Sequence, residues 1–151
     1  MQDEKKPVVE FLTPEVWERP WGEEVLLIHT DLYTGKLLKY KKGSRGGLQF
    51  HRLKDEAGYI LSGRLLVEWD PGDGTIVSRE LGPGEALHIP PGAVHRETAL
   101  EDLVIFEVSN PVFNDRVRSE ERYGEMIPEG GLPTTTLDQV EVGFPRQPYK
   151  A

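Results

Sequence analysis

The chain contains no cysteine among its 151 residues. Disulfide staples, thiolate zinc sites and cysteine nucleophiles are thereby excluded, and any transition-metal centre must draw on histidine, carboxylate and amide ligands. Long apolar runs are missing too. No stretch approaches the ~20 residues that span a bilayer, and the opening MQDEKKPVVEFL has no apolar signal-peptide core. Positive charge is in short supply: 18 Lys and Arg stand against 26 Asp and Glu, a net −8. That balance opposes sequence-independent attraction to nucleic acid or to an anionic membrane. The expectation is a soluble, cytoplasmic chain whose partner is a small molecule.

What the chain does have is punctuation. Its 16 glycines and 12 prolines recur at short intervals, the pattern of short strands joined by tight turns. Candidate strands are Glu24–His29, Lys36–Tyr40, Gly47–Phe50, Ala57–Leu61, Arg64–Trp69, Thr75–Glu80, Ala86–Ile89 and Leu103–Val108. So many short strands predict an all-β jelly roll or small barrel, a single domain that closes or shields its sheet edges. Two short helices are expected beside it, one from Thr13 to Trp17 with Thr13 as cap and Pro14 in the first turn, the other over Asp115–Tyr123. The barrel domain with an N-terminal extension is placed at 1–126 and an extended Pro/Gly-rich tail at 127–151, packed along the barrel or exchanged across a dimer.

The chemistry concentrates in GGLQFHRLKDE. Strand side chains alternate faces, so Gln49 and His51 point the same way, and Glu56 enters the next strand after a turn at 52–55. His95 follows the Pro90-Pro91-Gly92 turn. Singly, each of these residues has an ordinary structural role; their spacing is what distinguishes them. Gly43-x5-Gln49-x-His51-x4-Glu56-x6-Gly63, followed by Gly84-x5-Pro90-x-Gly92-x2-His95, resembles the two sequence motifs of the cupin superfamily, with glutamine in place of the usual first histidine.

The glutamine variant, Gln49-x-His51-x2-Lys54-x-Glu56, with Ile89-Pro90-x-Gly92-x2-His95-Arg96, Glu107-Val108, Val117-Arg118-x-Glu120-x2-Tyr123-Gly124 and Arg19-Pro20-Trp21-Gly22, resembles the cupin domain of type II mannose-6-phosphate isomerases. The chain departs from that pattern at Lys54, where arginine is usual, at Ala57-Gly58, where a His-Trp pair is typical, and at Ala99, where many cupins carry asparagine.

The resemblance implies a cupin-type double-stranded β-helix whose metal ligands are Gln49, His51, Glu56 and His95. Two imidazoles and two oxygen donors suit a borderline divalent ion, zinc first, with manganese, iron or cobalt compatible. It further implies a homodimer that isomerises a sugar or sugar phosphate between aldose and ketose forms. Arg96 and Arg118 would hold a phosphate, and Lys54 is the candidate catalytic base. His29 and His88 fall outside the ligand positions and are not expected to bind metal. A cupin oxygenase and a sugar-binding cupin without turnover are the alternatives.

Overall fold

The computed structural model describes residues 6–143, so the first and last residues of the expected N-terminal extension and tail lie outside the described part. The chain folds into β1 (Glu15–Arg19), β2 (Gly22–His29), β3 (Thr34–Tyr40), β4 (Gln49–Phe50), β5 (Glu56–Ser62), β6 (Leu65–Trp69), β7 (Val77–Leu81), β8 (Ala86–Ile89), β9 (His95–Ala99), β10 (Leu103–Ser109), β11 (Val112–Phe113), β12 (Val117–Arg118) and β13 (Glu141–Val142). Two sheets face each other in the orders β1-β2-β3-β10-β5-β8 and β12-β4-β9-β6-β7. This is the expected jelly-roll barrel, with antiparallel pairing throughout.

The eight expected strands all form, with ends displaced by a few residues. One of the two expected helices does not. Thr13–Trp17 leads into β1, because alternation buries Trp17 and Arg19 while Val16 and Glu18 face out, and β2 offers a full register from Glu15↔Leu26 to Arg19↔Gly22. Pairing to a neighbouring strand outweighs the local Thr-Pro helix signal. The second helix shrinks to a 3₁₀ turn at Glu120–Tyr123. Upstream of it, Val117–Arg118 pairs with Phe50 and Gln49 as a strand. The Asp115 carboxylate, which could have capped a helix, instead accepts the backbone N–H groups of Arg52, Leu53 and Lys54 at 3.1, 2.7 and 3.0 Å.

The barrel interior divides along its axis. At one end Ile60, Leu65, Val67, Leu81, Ala99, Leu103 and Ile105 form a closed apolar cluster. The turn there brings backbone so near that a Cβ on Gly63, itself at φ +86°, would stand 2.2 Å from the Asp102 carbonyl oxygen. Only glycine fits. At the other end the same strands turn polar side chains inward, around a cavity of about 390 Å3.

The C-terminal segment returns to the barrel as a strap. Val142 and Glu141 pair with Val112 and Phe113, a capping box at Thr136 and Gln139 starts a 3₁₀ turn over Leu137–Gln139, and Gly130, Gly131 and Leu132 line the cavity rim.

Candidate metal centre

His51 follows β4, Glu56 opens β5 and His95 opens β9. The barrel brings one ligand atom from each within 4.8 Å of the others. His51 Nε2 lies 3.4 Å and His95 Nε2 3.8 Å from Glu56 Oε1, and all three residues are buried. Donors held around a common ion at ~2.1 Å stand about 3–3.5 Å apart, so the spacing accommodates an ion with little adjustment. Gln49 is the register partner of His95 across β4 and β9, and lines the same cavity.

The outer nitrogens of both imidazoles are already committed. His51 Nδ1 bonds the Asp115 carbonyl oxygen and His95 Nδ1 bonds that of Ala93, the latter at 3.0 Å. A carbonyl can only accept, so each Nδ1 carries a proton, and each Nε2 faces Glu56. Carbonyl-held imidazoles of this kind are the usual support of metal-binding histidines. Burial, with His51 adding to it, holds His95 below the ordinary histidine pKa against the pull of Glu56, which favours the neutral, ligating form. Burial would raise Glu56, but Lys54, a hydrogen bond with Glu107 and His51 keep it well below the usual carboxylate range. For His95 and Glu56 the shifts thus favour the forms that bind a divalent ion.

Around this trio sits a ring of charge. Lys54 Nζ reaches both Glu56 Oε2 and Glu107 Oε1 at 2.6 Å. Burial pushes the Glu107 carboxyl up, Lys54 pulls the other way, and the neighbouring Glu56 adds to the rise. Glu97, two residues beyond His95 on the same inward face, is pushed up to about 8 by burial and by Glu56 and Glu107. Farther along the wall Glu24 lies between Arg19 and Lys36, at 3.5 and 3.4 Å. Trp21 and Tyr40, stacked with ring centres 4.4 Å apart, complete an aromatic patch of the lining.

The expected arginines do not converge on this cavity as ligand groups. Arg96 follows His95 directly, and alternation carries it to the opposite face of β9. There it faces its register partner Glu68, with hydrogen bonds of 2.9 and 2.8 Å, and also reaches Glu125. It does not line the cavity. Arg118 does lie at the rim, but its guanidinium is engaged by the buried Glu120 and by the Leu132 carbonyl of the strap. It is packed so tightly that a Cβ on Gly47 would stand 2.6 Å from its Cζ. Arg118 is thus a latch between the Gly46–Gly47 loop and the strap. His88 is exposed and paired with Asp55 at 2.7 Å, away from the trio, and His29 is likewise no part of it.

Glu97 and Lys36 escaped the sequence reading, and Glu107 was noticed without a role. Each is an isolated charge on a strand, outside any ligand spacing. The available signal was phase: Glu107 takes the inward position that Leu103 and Ile105 occupy earlier on β10.

Comparison with known proteins agrees with the barrel. The cupin domain family matches residues 36–108, from β3 to β10. Among solved structures, KdgF from Halomonas sp. superposes with a TM-score of 0.54 at 23% identity over 63% of this chain and 85% of its own. An RmlC-like cupin from Shewanella frigidimarina gives 0.55 at 16% identity over 64% and 82%. The capsular polysaccharide assembling protein CapF from Staphylococcus aureus gives 0.54 at 21% over 64% of this chain, which spans only 29% of CapF. At these identities the likeness is one of fold. No curated protein matches the chain, and no helix among the described residues is long and apolar enough to cross a membrane.

Proposed function

We propose that this chain, a barrel of the cupin superfamily, is a divalent-metal-dependent isomerase that exchanges aldose and ketose forms of a small sugar or sugar phosphate, in the manner of type II mannose-6-phosphate isomerases. The observation that carries the reading is the trio itself: two imidazoles, each held at Nδ1 by a backbone carbonyl, with their Nε2 atoms facing one buried carboxylate at the wall of a cavity of about 390 Å3. His51, Glu56 and His95 would hold the ion, with Gln49 as a fourth, neutral donor. Zinc suits the set best, and manganese, iron or cobalt also fit. A bound divalent ion would supply Lewis acidity toward a substrate carbonyl.

The rest falls to the protein. Exchange between neighbouring carbons needs a group that takes a proton from one carbon and returns it to the next. Lys54 was the sequence candidate, but its ammonium donates to Glu56 and Glu107 together. Glu107, across that contact, is the better placed carrier, and Lys54 the residue that orients it. The stacked Trp21–Tyr40 patch offers an apolar face for sugar C–H groups. With Arg96 turned away, recognition of a phosphate rests on Arg118 at the rim, which would have to give up part of its pairing with Glu120.

Metal analysis of the purified protein, combined with interconversion assays on mannose 6-phosphate, fructose 6-phosphate and the two free sugars, tests the proposal. Bound divalent metal and turnover of either pair support it. Oxygen uptake instead of interconversion points to an oxygenase, and tight sugar binding without turnover points to a binding protein. A metal-free protein with no activity on any of the four overturns it.

A further inference from the structure

Farther along the cavity wall from the trio, β1, β2 and β3 bury three charged side chains. Arg19, Glu24 and Lys36 are 8%, 3% and 3% exposed, and all three line the cavity. Strand alternation places them there. Lys36 shares its face of β3 with Leu38 and Tyr40, which pack on the closed apolar end, while Glu24 shares a face with Leu26 and Arg19 with Trp17. Replacing buried charges by apolar groups of like volume often costs a fold nothing, so a charged cluster kept at a cavity wall points to a ligand.

The bed beneath the two cations is aromatic. Lys36 Nζ lies 4.8 Å from the centre of the Phe113 ring and 5.9 Å from that of Trp17, and Arg19 Cζ lies 5.5 Å from the latter. Ring faces hold a cation in place and contribute no formal charge. The carboxylate of the cluster is Glu24, and both cations approach the same oxygen, Oε2, at 3.5 and 3.4 Å. Lys54 belongs to the neighbouring pair of carboxylates, Glu56 and Glu107. Arg19, Glu24 and Lys36 together thus carry one positive charge in excess.

We propose that this cluster seats a carboxylate at the far end of the ligand, so that the cavity takes a sugar acid; this rests on the reading above that the carbonyl end of a sugar binds at the trio. A carboxylate matches an excess of one, and the planar Arg19 fork beside an ammonium suits its two oxygens. A phosphate monoester carries about −1.5 to −2 at neutral pH and would leave part of that charge unbalanced in a buried site. The span fits as well. Lys36 on β3 is the register partner of Glu107 on β10, and β10 pairs with β5, where Glu56 sits. Two strand spacings are ~10 Å along the sheet, the scale of a six-carbon chain held at both ends. The arginines that a phosphate would need are engaged elsewhere, Arg96 with Glu68 outside the barrel and Arg118 with Glu120.

Calorimetric binding to the full chain loaded with zinc tests the proposal. The probes are D-mannose, D-glucose and D-galactose, their 6-phosphates and the corresponding hexuronates. At least one hexuronate should bind about 10- to 100-fold more tightly than its neutral sugar and its 6-phosphate. Lys36→Met keeps the packing on Phe113 and Trp17 and leaves Arg19 matched to Glu24. It should erase the preference while neutral-sugar affinity and metal content stay as in the parent. Glu24→Gln raises the excess to two and should move the preference toward the 6-phosphate, a change that a purely structural ion cluster would not give and that does not depend on the Lys36 variant folding. A parent chain that prefers the 6-phosphates, or binds no hexuronate above its neutral sugar, overturns the proposal. So does a hexuronate preference that Lys36→Met leaves intact. Interconversion is scored separately: a hexuronate bound with the expected preference but not interconverted supports the carboxylate seat and removes the isomerase, whereas turnover of mannose 6-phosphate without a hexuronate preference does the reverse.

Discussion

The two ends of the barrel interior are built from the same strands and do opposite things. β10 contributes Leu103 and Ile105 to the closed end and Glu107 to the open one; β5 gives Ile60 to one and Glu56 to the other; β9 gives Ala99 and His95. The closed end excludes water and supplies folding free energy. The open end buries imidazoles and carboxylates that burial disfavours, and must be held by partners for each of them. One end anchors the strands so that the other can hold an unfavourable arrangement in place.

The comparison breaks if damage to one end spreads to the other. The largest effect belongs to the closed end: Leu65→Ala should cost about 2–5 kcal/mol in denaturant unfolding, by lost transfer and a residual cavity, while the folded fraction retains its metal. His95→Ala should do the reverse. Metal content falls by more than about tenfold, and the stabilisation that added metal confers on the parent chain in thermal melts disappears, yet the metal-stripped variant melts close to the metal-stripped parent.

A third substitution sharpens the contrast through pH. Glu97 is held near 8 in the folded chain against 4.5 for an ordinary glutamate, so between those values folding takes up a proton. Its contribution is most favourable below pH 4.5 and is lost as pH rises through about 8. In metal-free protein, Glu97→Gln should flatten the fall in melting temperature between pH 5 and about 8.5, with little change at the acid end; parallel curves for variant and parent would refute this. The smallest effect lies outside the barrel. Glu68 is lowered chiefly by its hydrogen bonds to Arg96, so its contribution is present above the ordinary glutamate pKa and lost in acid. Partly exposed, the pair contributes under about 1 kcal/mol. Glu68→Gln should lower stability slightly at pH 7 and not at pH 3, and leave metal content unchanged.

Much of this was legible in the sequence, for local reasons. Glycines and prolines mark the turns, and the motif resemblance singles out His51, Glu56 and His95, which the barrel brings together. What was missed depends on facing. β9 lacks apolar alternation because two of its inward residues, His95 and Glu97, serve the cavity and only the small Ala99 reaches the core. The resemblance assigns Arg96 to phosphate from its motif position beside His95, but consecutive residues of a strand face opposite ways, and Arg96 turns outward to Glu68. β1 was read as a helix because its partner strand lies beyond the local window.

Asp115 has a consequence for the order of events in the life of the chain. Its carbonyl fixes His51 and its carboxylate fixes the turn that carries Lys54, contacts that bridge 64 and 61 residues. During synthesis the histidine and lysine emerge long before the residue that aims them, and closing so long a loop comes late in folding. The His51–Glu56–His95 cluster is therefore complete only after nearly the whole barrel has been made, so a divalent ion met by the nascent chain would find these side chains not yet held in place.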